Sequence, residues 1–169
     1  MPVSLRSPRP DDATAFCDAV MGSRALHHPW VSPPCTPDAF SAFIQKYEDP
    51  ANACFLAVNE DDELVGCINL NEIIRGPFKS AYLGYYVFVP FDSKGLMKQA
   101  LSLAVAEAFG QLGLHRLEAN IQPGNKASLA LVRSLGFRHE GYSPRYLFID
   151  GQWRDHERFA MTIEDWSAS

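Results

Sequence analysis

One segment of the sequence carries residue types that could bind an anion. Ser93-Lys94-Gly95 lies between an apolar segment and a helical pattern, and a helix that starts at such a turn offers free backbone N–H groups to a phosphate. Gly95 would let the backbone approach a diphosphate closely. An ordinary helix cap by Asp92 or Ser93 is the plain structural alternative.

A second segment combines an amide with a hydroxyl. Asn125 suits the N-cap of the helix that follows, and Ser128 lies one turn later, so the two side chains can face the same side. A simple capping pair is the structural alternative. The four cysteines show no metal-ligand spacing and none sits in an activating motif, so neither a metal site nor a cysteine nucleophile is predicted.

The elements that would position these residues follow from hydrophobic periodicity and turn residues. They are strand 3–6, helices 10–21 and 37–47, strands 53–58, 64–74 and 80–89, helix 94–109, strand 116–121, helix 125–134, and a hairpin of strands 137–149 and 153–163 around Asp150-Gly151. The predicted order is β-α-α-β-β-β-α-β-α-β-β. This order predicts an α/β fold with a mixed sheet.

Length and composition indicate one domain over residues 1–169. The hydrophobic fraction of 47% and charged fraction of 21% are typical of a soluble globular protein, and no apolar run approaches the roughly 20 residues of a membrane span. No signal peptide is expected, and the scattered cysteines favour a reduced, cytoplasmic compartment. The net charge of −5 argues against nucleic-acid binding.

Several segments follow one another in an order and at separations that identify a family. They are Leu83-Gly84-Tyr85-Tyr86, Lys94-Gly95-Leu96-Met97, the segment 114–120, Asn125-Lys126-Ala127-Ser128 and Leu135-Gly136-Phe137. Together they closely resemble the GNAT superfamily of N-acetyltransferases. Within it they look most like the Rim-type branch, named for ribosomal-protein N-terminal acetyltransferases. The resemblance extends over nearly the whole chain, from Leu5 to Trp166.

The resemblance implies acetyl-CoA as the cofactor and assigns residues to it. The diphosphate would lie on the loop that contains Ser93, Lys94, Gly95, Leu96 and Met97, and pantetheine alongside Tyr86, Val87, Phe88 and Val89. An N–H near Phe88 or Val89 would bind the developing oxyanion. Asn125 would contact pantetheine, and Ser128 would protonate the leaving thiolate. One departure is clear, because Asp92 and Ser93 replace the usual Gln or Arg and first Gly of the loop.

The resemblance also implies an amine acceptor, with Glu118 as the leading candidate base, although a surface ion pair with Arg116 explains this carboxylate equally well. Trp30, Tyr142 and Tyr146 would line the acceptor cleft. The expected partner is a primary amine, foremost a protein or peptide N-terminus; a homodimer is left open, and no nucleic acid or membrane is expected. The alternatives are a small-amine acetyltransferase, for an amino acid, polyamine or aminoglycoside, and a non-catalytic acyl-CoA-binding module.

Overall fold

The structure is a computed structural model that describes residues 1–167. Its strands are β1 (Ser4–Arg6), β2 (Ala53–Val58), β3 (Leu64–Ile74), β4 (Ser80–Val87), β5 (Arg116–Ile121), β6 (Arg138–Ile149) and β7 (Gln152–Thr162). Its helices are α1 (Ala13–Gly22), α2 (Arg24–His27), α3 (Pro37–Lys46), α4 (Leu96–Phe109), α5 (Lys126–Ser134) and α6 (Ile163–Ser167), with a 3-10 turn at Pro10–Asp12. No helix among these is long and apolar enough to cross a membrane.

The seven strands form one sheet in the order β1-β2-β3-β4-β5-β7-β6. All neighbouring strands are antiparallel except β4 and β5, which are parallel. The parallel pair is short, because it joins only Ser80 to Arg116, Ala81 to Leu117 and Tyr82 to Glu118. Beyond Tyr82 the two strands diverge and leave a gap within the sheet.

Each face of the sheet buries its own apolar core. On the first face, residues of α4 and α5, such as Leu101 and Val132, pack against Leu83 and Ile121. On the second face, Phe16 of α1 and Phe40 of α3 pack with Tyr86 and Phe88. Because successive strand residues point to opposite faces, neighbours on β4 belong to different cores.

The predicted fold class and element order are confirmed, with small differences at the boundaries. Thr36 caps α3 by accepting a hydrogen bond from the Ala39 N–H at 3.2 Å, as its sequence pattern indicates. Two short helices, α2 and α6, were not predicted, since one turn of helix leaves little periodicity to read. The hairpin turn forms at Asp150-Gly151, where both residues adopt positive φ.

Candidate active site

The first turn of α4 has a geometry that suits an anion. Its N-cap is Gly95 in the left-handed conformation, with φ +75°, and no side chain caps the helix. The alternative of a cap by Asp92 or Ser93 is therefore wrong. A Cβ added to Gly95 would meet no atom within 4 Å, so the approach to the free N–H groups is open. These donors and Lys94, which lines the same cavity, fit a diphosphate.

The gap between β4 and β5 leaves one edge of β4 without a partner strand. The Phe88 N–H donates to the Val65 carbonyl at 2.8 Å, and peptide groups alternate in direction along an antiparallel pair. Leu83, Tyr85 and Val87 therefore direct their N–H and C=O groups toward the gap. An extended molecule with amide groups could pair with this edge as a further strand would.

The gap is part of a cavity of about 530 Å³ that is lined by residues from both faces of the sheet. Leu129 of α5 and Ile121 of β5 pack in the first core, so the cavity-lining Ser128 is reached from that face. Asn120 alternates with Ile121 and so lies on the second face. A donor molecule and an acceptor molecule could thus meet in the gap from opposite sides.

Ser128 and Tyr85 form a hydroxyl pair at the first face of the gap. Asn125 caps α5 by accepting from the Ser128 N–H at 3.4 Å. The Ser128 Oγ lies 2.6 Å from the Tyr85 Oη, and either hydroxyl can donate. Burial raises the pKa of Tyr85 to about 12, against the lowering effect of the bond to Ser128. The phenol therefore keeps its proton at neutral pH and can pass it through Ser128 to a nearby anion.

His27 closes one end of the gap. Its Nε2 lies 2.7 Å from the Val87 carbonyl oxygen, and because a carbonyl can only accept, Nε2 carries the hydrogen. Its Nδ1 is buried without a protein partner. Burial lowers the pKa of this imidazole. His27 holds the last peptide of β4 in place but offers no accessible nitrogen to a substrate.

His156 enters the cavity from β7 and is only 1% exposed. Its Nδ1 lies 2.9 Å from the Arg154 carbonyl oxygen, so Nδ1 carries the hydrogen. Opposite it, the β6 ladder is interrupted between Ser143 and Leu147, and Asp155 accepts the Arg145 N–H of this bulge at 2.8 Å. The bulge brings the Tyr146 ring to 6.0 Å from His156.

Most of the residues predicted for the cofactor do line this cavity: Tyr86, Val87, Ser93, Lys94, Gly95, Leu96, Met97, Asn125 and Ser128. Their roles stay predictions. Trp30 also lines it, and its ring packs against Gly124, where an added Cβ would lie 3.0 Å from Cη2. The ring of Tyr86 points into the second core, where it packs edge-on against Phe16.

Four other predicted residues lie away from the cavity lining. Phe88 is fully buried in the second core, and the N–H of Val89 donates to the Ser23 Oγ at 3.0 Å. Since the Phe88 N–H is also bonded, neither amide is free for an oxyanion. Tyr142 is 48% exposed and bonds Asp155 on the outside of the hairpin. Tyr146 lies outside the cavity lining, with its ring centroid 6.0 Å from that of His156.

Glu118 is held in an ion pair outside the cavity lining. Its Oε1 accepts from Arg116 Nε at 3.1 Å and Nη2 at 2.8 Å, and the same guanidinium also binds Glu140. Since Glu118 does not line the cavity, it has no contact with a substrate bound there. The ion-pair interpretation describes this residue, and the expectation that it is the base does not fit its surroundings.

Sequence reasoning missed Tyr85 and His156. Tyr85 and Tyr86 are adjacent on β4, and nothing in the local sequence tells which of the two faces α5. His156 lies within the hairpin, and only the bulge in β6 and the pairing with β7 direct it into the cavity. The only local signal was the presence of a histidine in a strand with inward-facing neighbours.

Comparison with known proteins settles the family. The family model of the GNAT acetyltransferase domain matches residues 3–138. The chain belongs to the GNAT acetyltransferase family. It is 35% identical over 165 residues to the [ribosomal protein uS5]-alanine N-acetyltransferase of Escherichia coli, covering 92% of this chain and 85% of that protein.

Solved structures agree with this assignment. Mycobacterium smegmatis RimJ in complex with CoA-disulfide superposes with a TM-score of 0.88 at 30% identity, covering 96% of this chain and 83% of that one. A spermidine N-acetyltransferase from Vibrio cholerae, in complex with CoA and spermine, has a TM-score of 0.84 at 21% identity, with 98% of both chains covered. The second likeness shows the shared fold alone. The GNAT chain is thus an N-acetyltransferase, and its acetyl donor is acetyl-CoA.

Proposed function

We propose that this acetyltransferase modifies the N-terminal α-amine of a protein, the kind of acceptor for which its alanine N-acetyltransferase relative is named. The observation that carries the proposal is the chemistry of the cavity on the second face. Asn69, Asn71, Asn120 and Gln122 line it with amide side chains, and no carboxylate of residues 1–167 does so. Amides pair with a peptide backbone, whereas a polyamine or aminoglycoside needs anionic partners.

In this proposal each part of the site has one task. The N–H groups at the start of α4 and Lys94 bind the diphosphate, and the free edge of β4 orients the pantetheine amides. Bound acetyl-CoA supplies an activated thioester. The N–H of Val87, which points into the gap, donates to the developing oxyanion in place of the bonded N–H groups of Phe88 and Val89.

The Ser128–Tyr85 pair supplies the proton that the leaving sulfur needs. Both residues line the cavity, and Tyr85 keeps its proton at neutral pH, so in this proposal the serine contacts the sulfur and the tyrosine is its proton source. Asn125 fixes the first turn of α5, which carries Ser128. Much of the rate acceleration comes from holding two substrates in the gap in the correct orientation.

The test is release of thiol from acetyl-CoA with a matched set of acceptors. We expect turnover with a short peptide that starts with alanine. The matched control is the same peptide with its α-amine blocked and an internal lysine retained, on which we expect no turnover. Faster reaction with spermidine, an aminoglycoside or the lysine side chain would contradict the proposed acceptor. Mass spectrometry of the product locates the acetyl group.

A further inference from the structure

The proposed reaction needs a group that takes a proton from the acceptor, and Glu118 is engaged elsewhere. An α-amine has a pKa of about 7.7–8.0, so most of it is protonated at neutral pH. Among the cavity-lining groups of residues 1–167, the candidates that can accept a proton are His27 and His156. His27 is unsuited, because its Nε2 donates to the Val87 carbonyl and its unprotonated Nδ1 is fully buried.

We propose that His156 is the base that removes a proton from the acceptor amine in the proposed acetyl transfer. The Arg154 carbonyl fixes the hydrogen on Nδ1 and therefore leaves the lone pair on Nε2. No protein partner for Nε2 is found among the described residues. His156 lines the cavity and shares the second face with Asn120, on the side of the gap opposite the Ser128–Tyr85 pair.

The surroundings of His156 keep its imidazole neutral at pH 7. Burial lowers its pKa, while the Arg154 carbonyl and the adjacent Asp155 act in the opposite direction. Asp155 is itself engaged by the Tyr142 hydroxyl and the Arg145 N–H. From β6 the facing groups are Ser143 in the ladder and the Tyr146 ring.

One further charged group shares this face, Arg158, which lies two residues along β7 and pairs with Asn120. The lining residues Asn120 and Ile121 of β5 and Gln122 after it are not ionisable, and across the cavity lies His27, whose pKa is also lowered by burial. A neutral imidazole in such surroundings accepts one proton near neutral pH and releases it again.

The step balances as follows. An ammonium N–H bond breaks and its proton passes to Nε2 of His156. The amine lone pair forms the C–N bond to the acetyl carbon, and the C–S bond breaks. The sulfur takes a proton from the Ser128–Tyr85 pair. After the C–N bond forms, the nitrogen loses its second proton to solvent, and solvent returns one proton to the Ser128–Tyr85 pair. The imidazolium of His156 then releases its proton to solvent.

Two variants separate a base from a merely structural histidine. In His156→Asn, the side-chain amide can keep the hydrogen bond to the Arg154 carbonyl but has no basic nitrogen. In His156→Gln, the amide nitrogen comes nearer the position of Nε2. The matched control is His139→Asn on β6, an exposed histidine paired with Glu157. The melting temperature and the KM for acetyl-CoA report whether each variant is folded and binds its donor.

The decisive measurement is kcat/KM for an alanine-initiated peptide between pH 6.5 and 9. Without the base only the neutral amine reacts. The kcat/KM of both His156 variants should therefore be about tenfold below the wild type at pH 7 and less than about twofold below it at pH 9. His139→Asn should follow the wild type throughout. If the pH profile of kcat/KM for His156→Asn overlays that of a wild type that acetylates the peptide, the inference about His156 fails while the proposed function stands. If the wild type acetylates no α-amine, the proposed function fails, and the inference with it.

Discussion

The hydroxyls of Ser128 and Tyr85 should act as one unit, because the two oxygens are 2.6 Å apart and both residues line the cavity. We expect Ser128→Ala and Tyr85→Phe each to lower kcat by about 10²-fold, the low end for general acid catalysis. The KM for acetyl-CoA should change little, since the proton is transferred only in the transition state. Single-turnover kinetics should be used, so that the chemical step is observed.

The double variant provides the sharper test of this pair. Groups that act as a unit are not additive, so Ser128→Ala combined with Tyr85→Phe should be no slower than the slower single variant. Ser134→Ala is the matched control, because Ser134 is an exposed serine of the same helix that bonds only the Leu131 carbonyl. Multiplicative losses in the double variant would show that the two hydroxyls act independently.

Among individual residues, the sequence could predict those whose position depends on local structure. The capping of α5 by Asn125 and the open turn at Gly95 could be predicted, because caps and turns are encoded within a few residues. Tyr85 and His156 could not, since their places depend on which face a strand residue takes. That alternation is set by pairing with distant strands and by the bulge in β6.

In the proposed mechanism, donor binding depends on the start of α4. Gly95→Ala should raise the KM for acetyl-CoA by about tenfold, which corresponds to about 1.4 kcal/mol, near the contribution of one charge-assisted hydrogen bond. The added methyl group meets no protein atom within 4 Å, so it would stand only in the path of the diphosphate. The left-handed φ of +75° adds a strain of about 1–2 kcal/mol.

A second glycine separates that strain from the effect on binding. Gly113 also adopts a positive φ, of +64°, and a Cβ there would meet no atom within 4 Å, but it lies outside the cavity lining. Gly113→Ala should therefore lower the melting temperature about as much as Gly95→Ala and leave the KM unchanged. Equal effects of the two variants on the KM would place the diphosphate elsewhere.

The gap between β4 and β5 is an element-scale feature that the strand patterns alone could not show. The apolar run of β4 and the alternating β5 predict two strands, but their parallel register of three pairs depends on the α4 crossover. Glu118 illustrates the same limit. Its neighbour Arg116 was visible in the sequence, whereas Glu140, which shares that guanidinium, is brought in by β6.

At the scale of the whole molecule, acetyl-CoA should stabilise the fold. A ligand that binds only the native state adds about 2.7 kcal/mol at a concentration of 100 Kd. For a chain of this size, 1 kcal/mol shifts the melting temperature by about 2–4 °C, so a rise of about 5–10 °C is expected. Differential scanning fluorimetry with and without acetyl-CoA measures it.

A short acetyl thioester that lacks the diphosphate is the control ligand for this measurement. At the same concentration it should leave the melting temperature unchanged, because it cannot contact the first turn of α4. An equal rise with both ligands would mean that the acetyl end, and not the diphosphate, supplies the binding energy.

The short junction between β4 and β5 also has a mechanical consequence. Strands β1 to β4 form one half of the sheet and β5 to β7 the other, and the ladder between the halves spans only three residue pairs at one end. Hydrogen bonds between strands are what resist bending across a sheet, so the sheet is least stiff along the line where donor and acceptor meet. A molecule that hydrogen-bonds to the free edge of β4 adds stiffness along that line. The enzyme would therefore become more rigid when acetyl-CoA binds.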